Sequence, residues 1–400
     1  MTQSLRLARS IAAAVLLAGC AESRPPISAP NTMLHTVVAA GSYGVIYSFA
    51  GGADGATPMA GLLETKGTLY GTTFQGGKNG GGTVFSVTPS GHEDVLDSFG
   101  APNDGAEPLA GLVTLKGELY GTTATGGTSG LGTIFAIATS GKERLLHSFQ
   151  GGQSDGSRPY ASLVNVNGTL YGTTLDGGSL NQGTVFAITP GNDVERQLYS
   201  FTGYPNGAHP QAALINAGDT LFGTTRAGAQ AKELGTVFSV TTAGAEQKLH
   251  GFKGSPKDGA HPFAALTEID GVLYGTTRDD GANGYGTVFS IDSSGSETVL
   301  YSFGGGSGDG AWPTGGLIDI NGTLYGTTVQ GGGSGCSYGD GCGTIYSVTT
   351  AGVEKILYRF AGGSDGSLPY AGLTYSKGVL YGTTSSGGTH GYGTVFTLSP

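Results

Sequence analysis

Leu69-Tyr70-Gly71-Thr72-Thr73, a Gly-rich loop, and then Gly82-Thr83-Val84-Phe85 make up the stretch on which the reading of this 400-residue chain turns. Leu-Tyr/Phe-Gly-Thr-Thr starts again at Leu119, Leu170, Leu221, Leu273, Leu324 and Leu380, at spacings of 50, 51, 51, 52, 51 and 56 residues. Gly-Thr-Val/Ile-Phe/Tyr starts again at Gly132, Gly183, Gly235, Gly286, Gly343 and Gly393. Two further motifs keep step with these. One ends in Phe49, Phe99, Phe149, Phe201, Phe252, Phe303 and Phe360; the other is Asp/Asn-Gly-Ala/Ser-x-Pro, first met as Asp54-Gly55-Ala56-Thr57-Pro58. Self-similarity at a fixed period of this size is the mark of a repeat architecture.

Each unit reads as four short strands. The first follows the Pro (59–65, 109–115, 160–166) and ends in a two-residue turn such as Asn167-Gly168 or Asp270-Gly271. Such pairs favour a type I′ hairpin, which needs φ > 0 twice. The second strand is Leu-Tyr-Gly-Thr-Thr, the third 83–88 and the fourth 95–99. Four strands per unit of about 50 residues match a β-propeller blade. Apolar residues on both faces of the strands (Leu69 beside Tyr70, Val84 beside Phe85) suit sheets sandwiched between neighbours. A small pair recurs in the first strand, from Ala60-Gly61 to Ala371-Gly372, as expected where inner strands converge on an axis. The strand at 45–49 is a fourth strand with no preceding three, and 394–400 is a third strand with no fourth. The expectation is therefore an all-β, seven-bladed propeller over 45–400, closed by the N-terminal strand completing the last blade.

Composition agrees. Gly supplies 77 of 400 residues, which alone would suggest low complexity, but 38% of the chain is hydrophobic and only 12% charged. A disordered chain is apolar-poor and highly charged. The net charge of −10 argues against a nucleic-acid partner, which needs a basic face.

The Leu-Tyr-Gly-Thr-Thr…Gly-Gly…Gly-Thr-Val-Phe pattern over about 45–400 resembles the GloVer tandem repeat of bacterial "choice-of-anchor" exported proteins. That resemblance implies secretion and surface anchoring, and supplies no enzymatic activity. The N-terminus fits export. Arg6 and Arg9 precede an apolar run over 11–18, too short to span a bilayer. Leu17-Ala18-Gly19-Cys20 resembles the bacterial lipobox, so residues 1–19 are expected to be a lipoprotein signal peptide, Cys20 the lipidated residue and membrane anchor, and 20–44 a flexible tether. An ordinary signal peptide is the alternative.

Little in the chain points to catalysis. GxxxxGK[ST] and HExxH are absent. A residue repeated seven times makes a poor catalyst, since catalysis needs one asymmetric site. The Thr pairs are expected to bond across the sheet. Asp54, Asp104, Asp155, Asn206, Asp258, Asp309 and Asp365 read as turn residues, with calcium ligation as the alternative. Loop 329–342 has 14 residues where five counterparts have 8 and one has 9. Its Cys336 and Cys342 read as a disulfide staple in an oxidising compartment, a metal pair being the alternative.

The informative positions are those that vary within the repeat. The residue before the motif Pro is Thr57, Glu107, Arg158, His209, His261, Trp312 or Leu368, and the one after it includes Tyr160, Phe263 and Tyr370. These are expected on one face with the second-to-third-strand loops, which carry Arg226, Arg278, Asp279, Asp280 and Tyr338. Arg158, Tyr160, His209, His261, Phe263, Trp312 and Tyr370 are the candidate ligand contacts, able to stack on a sugar ring or grip a peptide. Unconstrained surface variation and a His209–His261 metal pair are the alternatives. The expectation is a monomeric, non-catalytic binding module at the cell envelope for a carbohydrate or protein ligand, with no cofactor and no metal. The rivals are a glycosidase or lyase using Glu107 with a loop Asp, and a structural or adhesive surface protein.

Overall fold

The computed structural model describes residues 41–228, 234–336 and 339–400. The leader over 1–19, Cys20 and the tether up to residue 40 lie outside the described residues, as does Tyr338. The chain forms seven four-stranded antiparallel sheets, the blades of a β-propeller. Blades 1 to 6 span 63–98, 113–148, 164–200, 215–251, 267–302 and 318–359. Blade 7 takes three strands from Thr374–Ser376, Val379–Thr384 and Thr394–Leu398, and its fourth from Tyr43–Ser48. Tyr43 pairs with Leu398 and Ser48 with Thr394, so the ring closes by hydrogen bonds between the two ends of the propeller.

Each core cluster draws on two successive blades. Tyr171, Val185 and Phe201 of blade 3, for example, pack with Leu221, Phe238 and Val240 of blade 4, joined by Leu214 from the segment between them. This explains why the strands are apolar on both faces. At every blade junction, the Phe following a fourth strand meets the aromatic of the next third strand, from Phe49–Phe85 at 5.0 Å to Phe360–Phe396 at 5.4 Å. The repeat's central glycine makes room for that ring. A Cβ on Gly172 would lie 2.5 Å from Phe186 Cζ.

The two threonines of Leu-Tyr-Gly-Thr-Thr divide their work. The second meets the Thr of the third strand in its own blade, as in Thr73–Thr83 at 2.8 Å and Thr174–Thr184 at 2.8 Å. The first, in every unit but that of Thr276, instead donates to the following blade's segment: Thr72 to Ala110 O at 3.0 Å, Thr327 to Ala371 O at 2.7 Å, and, across the closure, Thr383 to Ala60 O at 3.1 Å. Only half of the expected cross-sheet bonding therefore lies within a sheet. The acceptor carbonyls belong to the small pairs, which bond to a neighbouring blade and not to their own. First strands are accordingly shorter than expected (Leu63–Thr65, Val113–Leu115, Val164–Val166), and the small pairs precede them.

A polar cluster repeats between adjacent fourth strands. The motif Asp caps local backbone: Asp309 accepts from Gly310 N at 2.6 Å and Gly304 N at 2.6 Å. The penultimate residue of the fourth strand faces it. Tyr47, Tyr301 and Tyr358 donate to Asp54, Asp309 and Asp365 at 2.6, 2.8 and 2.6 Å. The next fourth strand begins with a Glu, and Oε1 of Glu93, Glu143 and Glu354 is buried with no hydrogen-bond partner. Burial pushes the Glu143 carboxyl up to about 7, with the carboxylates of Asp104 and Asp97 adding to the rise. Glu93 and Glu354 also reach about 7, by burial first and then by the facing Asp54 or Asp309. A folded-state value above the ordinary 4.5 means that stability from these groups is complete below about pH 4.5 and is lost as pH rises through about 7. The melting temperature is expected to fall between pH 5 and 8, and Glu143→Gln, which never ionises, to flatten part of that slope. Thermal melts of both proteins across the range test this, and an unchanged slope would refute it.

Candidate ligand-binding face

The residue before a proline is normally extended. Here all seven such positions are left-handed, at φ 59 (Thr57), 60 (Glu107), 55 (Arg158), 55 (His209), 54 (His261), 59 (Trp312) and 57 (Leu368). This conformation costs a non-Gly residue on the order of 1 kcal/mol or more. Two backbone bonds hold it. The Arg158 amide donates to Leu131 O of the preceding blade at 2.8 Å, and its carbonyl accepts from Leu175 N at 3.0 Å; Trp312 does the same with Tyr285 O and Val329 N at 3.0 and 3.1 Å. The following proline is buried on the preceding blade's Gly-Thr-Val-Phe glycine, where a Cβ on Gly132 would lie 2.6 Å from Pro159 Cδ. Since their partners sit in the second-to-third-strand loops, the seven variable side chains share one face with those loops.

On that face the side chains of blades 3 to 7 form a linked arc. Arg158 pairs with Asp176, and Asp176 Oδ1 lies 3.2 Å from His209 Nδ1. His261 Nδ1 lies 3.0 Å from Asp279 Oδ2. The Arg278 guanidinium sits over two rings, 4.8 Å from the Trp312 centroid and 5.6 Å from that of Phe263, and Arg226 lies 5.6 Å from Phe263. Arg278, Trp312, Gln330 and Tyr370 line a cavity of about 150 Å³. A wider depression of about 390 Å³ lies among Gln182, His209, Arg226 and His261. Arg158, His209, His261, Phe263, Trp312 and Tyr370 thus all enter this arc or its cavities. Tyr160 makes no polar or aromatic contact with them among the described residues. Glu107 likewise is hydrogen-bonded to no other side chain there.

Cys336 and Cys342 are joined in a disulfide, with Cα atoms 5.3 Å apart. Cys342 is buried, and its carbonyl accepts from Leu368 N at 2.9 Å, which sets the long loop beside the Trp312 cavity. Asp176 and Gln330 were missed as site residues. They occupy one position of the repeat, also held by Gln75, Thr125, Ala227, Asp279 and Ser386. Variation at that position was available as a signal, just as before the proline.

Fold and face together define a seven-bladed β-propeller with a variable, aromatic- and Arg-bearing surface on a constant ring. The chain belongs to the Gloeobacter/Verrucomicrobia repeat family, whose model matches residues 31–164, 144–338 and 232–400. No curated protein matches it. Among solved structures it is similar to the extracellular domain of a protein assigned to the hybrid two-component systems of B. thetaiotaomicron, BT4673 (TM-score 0.56, 11% identity, 88% of this chain and 39% of that one). It is also similar to an oligogalacturonate lyase in complex with manganese (0.52, 11%, 83% and 86%). A third is PorZ, a surface component of the type-IX secretion system of Porphyromonas gingivalis (0.51, 15%, 84% and 46%). The chain spans about two fifths of the first of these. At such identities the likeness is one of fold alone. Among the described residues no helix is long and apolar enough to cross a membrane.

Proposed function

We propose that this protein is an exported β-propeller, anchored to the membrane by lipid at Cys20, that binds a carbohydrate or protein ligand at the cell envelope as a monomer and without catalysis. The observation that carries the binding reading is Arg278 set between Phe263 and Trp312 beside the Tyr370 cavity. A ring face for stacking and a guanidinium for hydrogen bonds are what a sugar or a peptide carboxylate requires. The left-handed backbone at the preceding positions is maintained at a cost that glycine would avoid, and strain of this kind gathers at functional sites.

A glycan array probed with the full chain, Trp312→Ala and Arg278→Ala tests the site. Specific binding weakened about five- to thirtyfold in each variant is expected, since one stacked or cation–π contact contributes about 1–2 kcal/mol. Binding indifferent to both substitutions would refute the site, and release of product from a polysaccharide would refute the non-catalytic reading. Mass spectrometry of the mature N-terminus tests the anchor, and an unmodified peptide beginning elsewhere than Cys20 would overturn it.

A further inference from the structure

Two of the seven polar clusters between fourth strands differ from the rest in chemistry. Where four junctions place Tyr47, Tyr199, Tyr301 or Tyr358, and one places Asp97, these two place His147 and His250. His147 gathers with Asp155 and Glu195, and His250 with Asp258 and Glu297. In each set one ligand atom from every residue lies within 4.8 Å of the others. The His comes from the fourth strand of one blade, the Asp from the link, and the Glu from the fourth strand of the next blade.

The spacing distinguishes this arrangement from the tyrosine junctions. Tyrosine hydroxyls sit 2.6–2.8 Å from the Asp, as good hydrogen bonds do. His147 Nε2 lies 3.3 and 3.4 Å from the two oxygens of Asp155, and His250 Nε2 lies 3.3 Å from Asp258 Oδ2. Two ligands on bonds of about 2.1 Å at a tetrahedral angle stand about 3.4 Å apart. The imidazoles are fixed edge-on against Phe149 and Phe252, at 4.8 and 5.0 Å between centroids. Each Asp is buried and oriented by two amides, Asp155 by Gln150 and Gly156 and Asp258 by Lys253 and Gly259, all at 2.7–2.8 Å. That is the outer-shell support a metal-binding carboxylate needs. Glu195 and Glu297 each keep Oε1 buried and unpartnered. Glutamates at the other junctions do so too, but only these two junctions add a nitrogen donor.

We propose that these junctions are twin sites for a divalent first-row cation of the zinc type, bound by His147, Asp155 and Glu195 and by His250, Asp258 and Glu297, with a fourth position left for water. One imidazole and two carboxylates suit such an ion, and its charge would neutralise two carboxylates held together between blades. Each ion would clip one blade to the next, at blades 2–3 and 4–5. Sequence spacing does not disclose the sets, because the glutamate arrives from the following repeat.

The test uses the full chain, stripped with a chelator and titrated with Zn²⁺ by calorimetry, with thermal melts alongside. Two ions per chain are expected, bound at micromolar concentration or tighter, with a raised melting temperature. His147→Tyr should bind one ion, and His147→Tyr with His250→Tyr none. Tyrosine already fills this place at four junctions, so the fold should tolerate it. Glu195→Gln, nearly isosteric, should weaken one site by more than about tenfold and provides a second probe if a tyrosine variant misfolds. Absence of Zn²⁺ uptake, or uptake unchanged in the double variant, would overturn the proposal and leave His147 and His250 as hydrogen-bond partners of their Asp residues.

Discussion

Removing residues 41–50 from the chain is expected to leave no soluble monomer. The strand Tyr43–Ser48 supplies the outer edge of blade 7 and, among the described residues, the only strand pairing between the first and last parts of the propeller. Phe49, directly after it, is fully buried among Leu62, Leu69 and Phe85 of the blade 1 side and Tyr381 and Val395 of blade 7. Tyr43 stacks on Tyr358 at 3.9 Å, and its hydroxyl donates to Asp365 O at 2.6 Å. Without the strand, Thr394–Leu398 becomes an open, apolar edge, which is a template for pairing with another chain. Size-exclusion chromatography should show aggregate in place of the monomer expected of the intact chain, and a peptide of residues 41–50 added during refolding should restore the monomer in part, by strand addition. A truncated chain that elutes as a monomer with an unchanged melting temperature would show that the ring does not depend on this strand.

Phe201→Ala is expected to cost about 3–5 kcal/mol, the usual range for emptying a fully buried aromatic site. Phe201 has no exposed surface and meets Phe238 edge-to-face at 5.0 Å, so the substitution removes one of seven equivalent ties between blades. The neighbouring rings stand on paired strands and cannot collapse into the gap. Denaturant unfolding gives the measure. A loss under about 1 kcal/mol would mean that the junction relaxes freely, contrary to dense packing. The same substitution should leave ligand binding intact at temperatures where the protein is folded, because Phe201 takes no part in the arc from Arg158 to Tyr370.

Much of this architecture was legible in the sequence because a repeat states its rules seven times. The period fixed the blade count, the Gly-containing turns fixed the hairpins (Asn167 at φ 53, Gly168 at φ 87), and the unmatched strand at 45–49 predicted how the ring closes. What escaped was whatever depends on the neighbouring blade. Nothing local says that Thr72 will bond to Ala110 and not within its own sheet, or that Ala60-Gly61 stands before the inner strand. Nor would the residue before a proline be read as left-handed, since local sterics favour the opposite. The candidate side chains were legible as variable positions. Their grouping was not, because Arg158 finds Asp176 within its own blade while His209 reaches that same carboxylate from the next.

At all seven positions before the prolines, the same two backbone groups, an amide and a carbonyl, make the ties to the ring that every repeat shares. Every residue except proline carries both groups, so the scaffold makes almost no demand on the side chain. Threonine, glutamate, arginine, histidine, tryptophan and leucine already occupy the same place. The variable face can therefore be rewritten one blade at a time while the framework stays as it is. Descendants of a single propeller could come to grip unrelated molecules through a handful of substitutions, much as antibody loops diversify upon an unchanging sandwich.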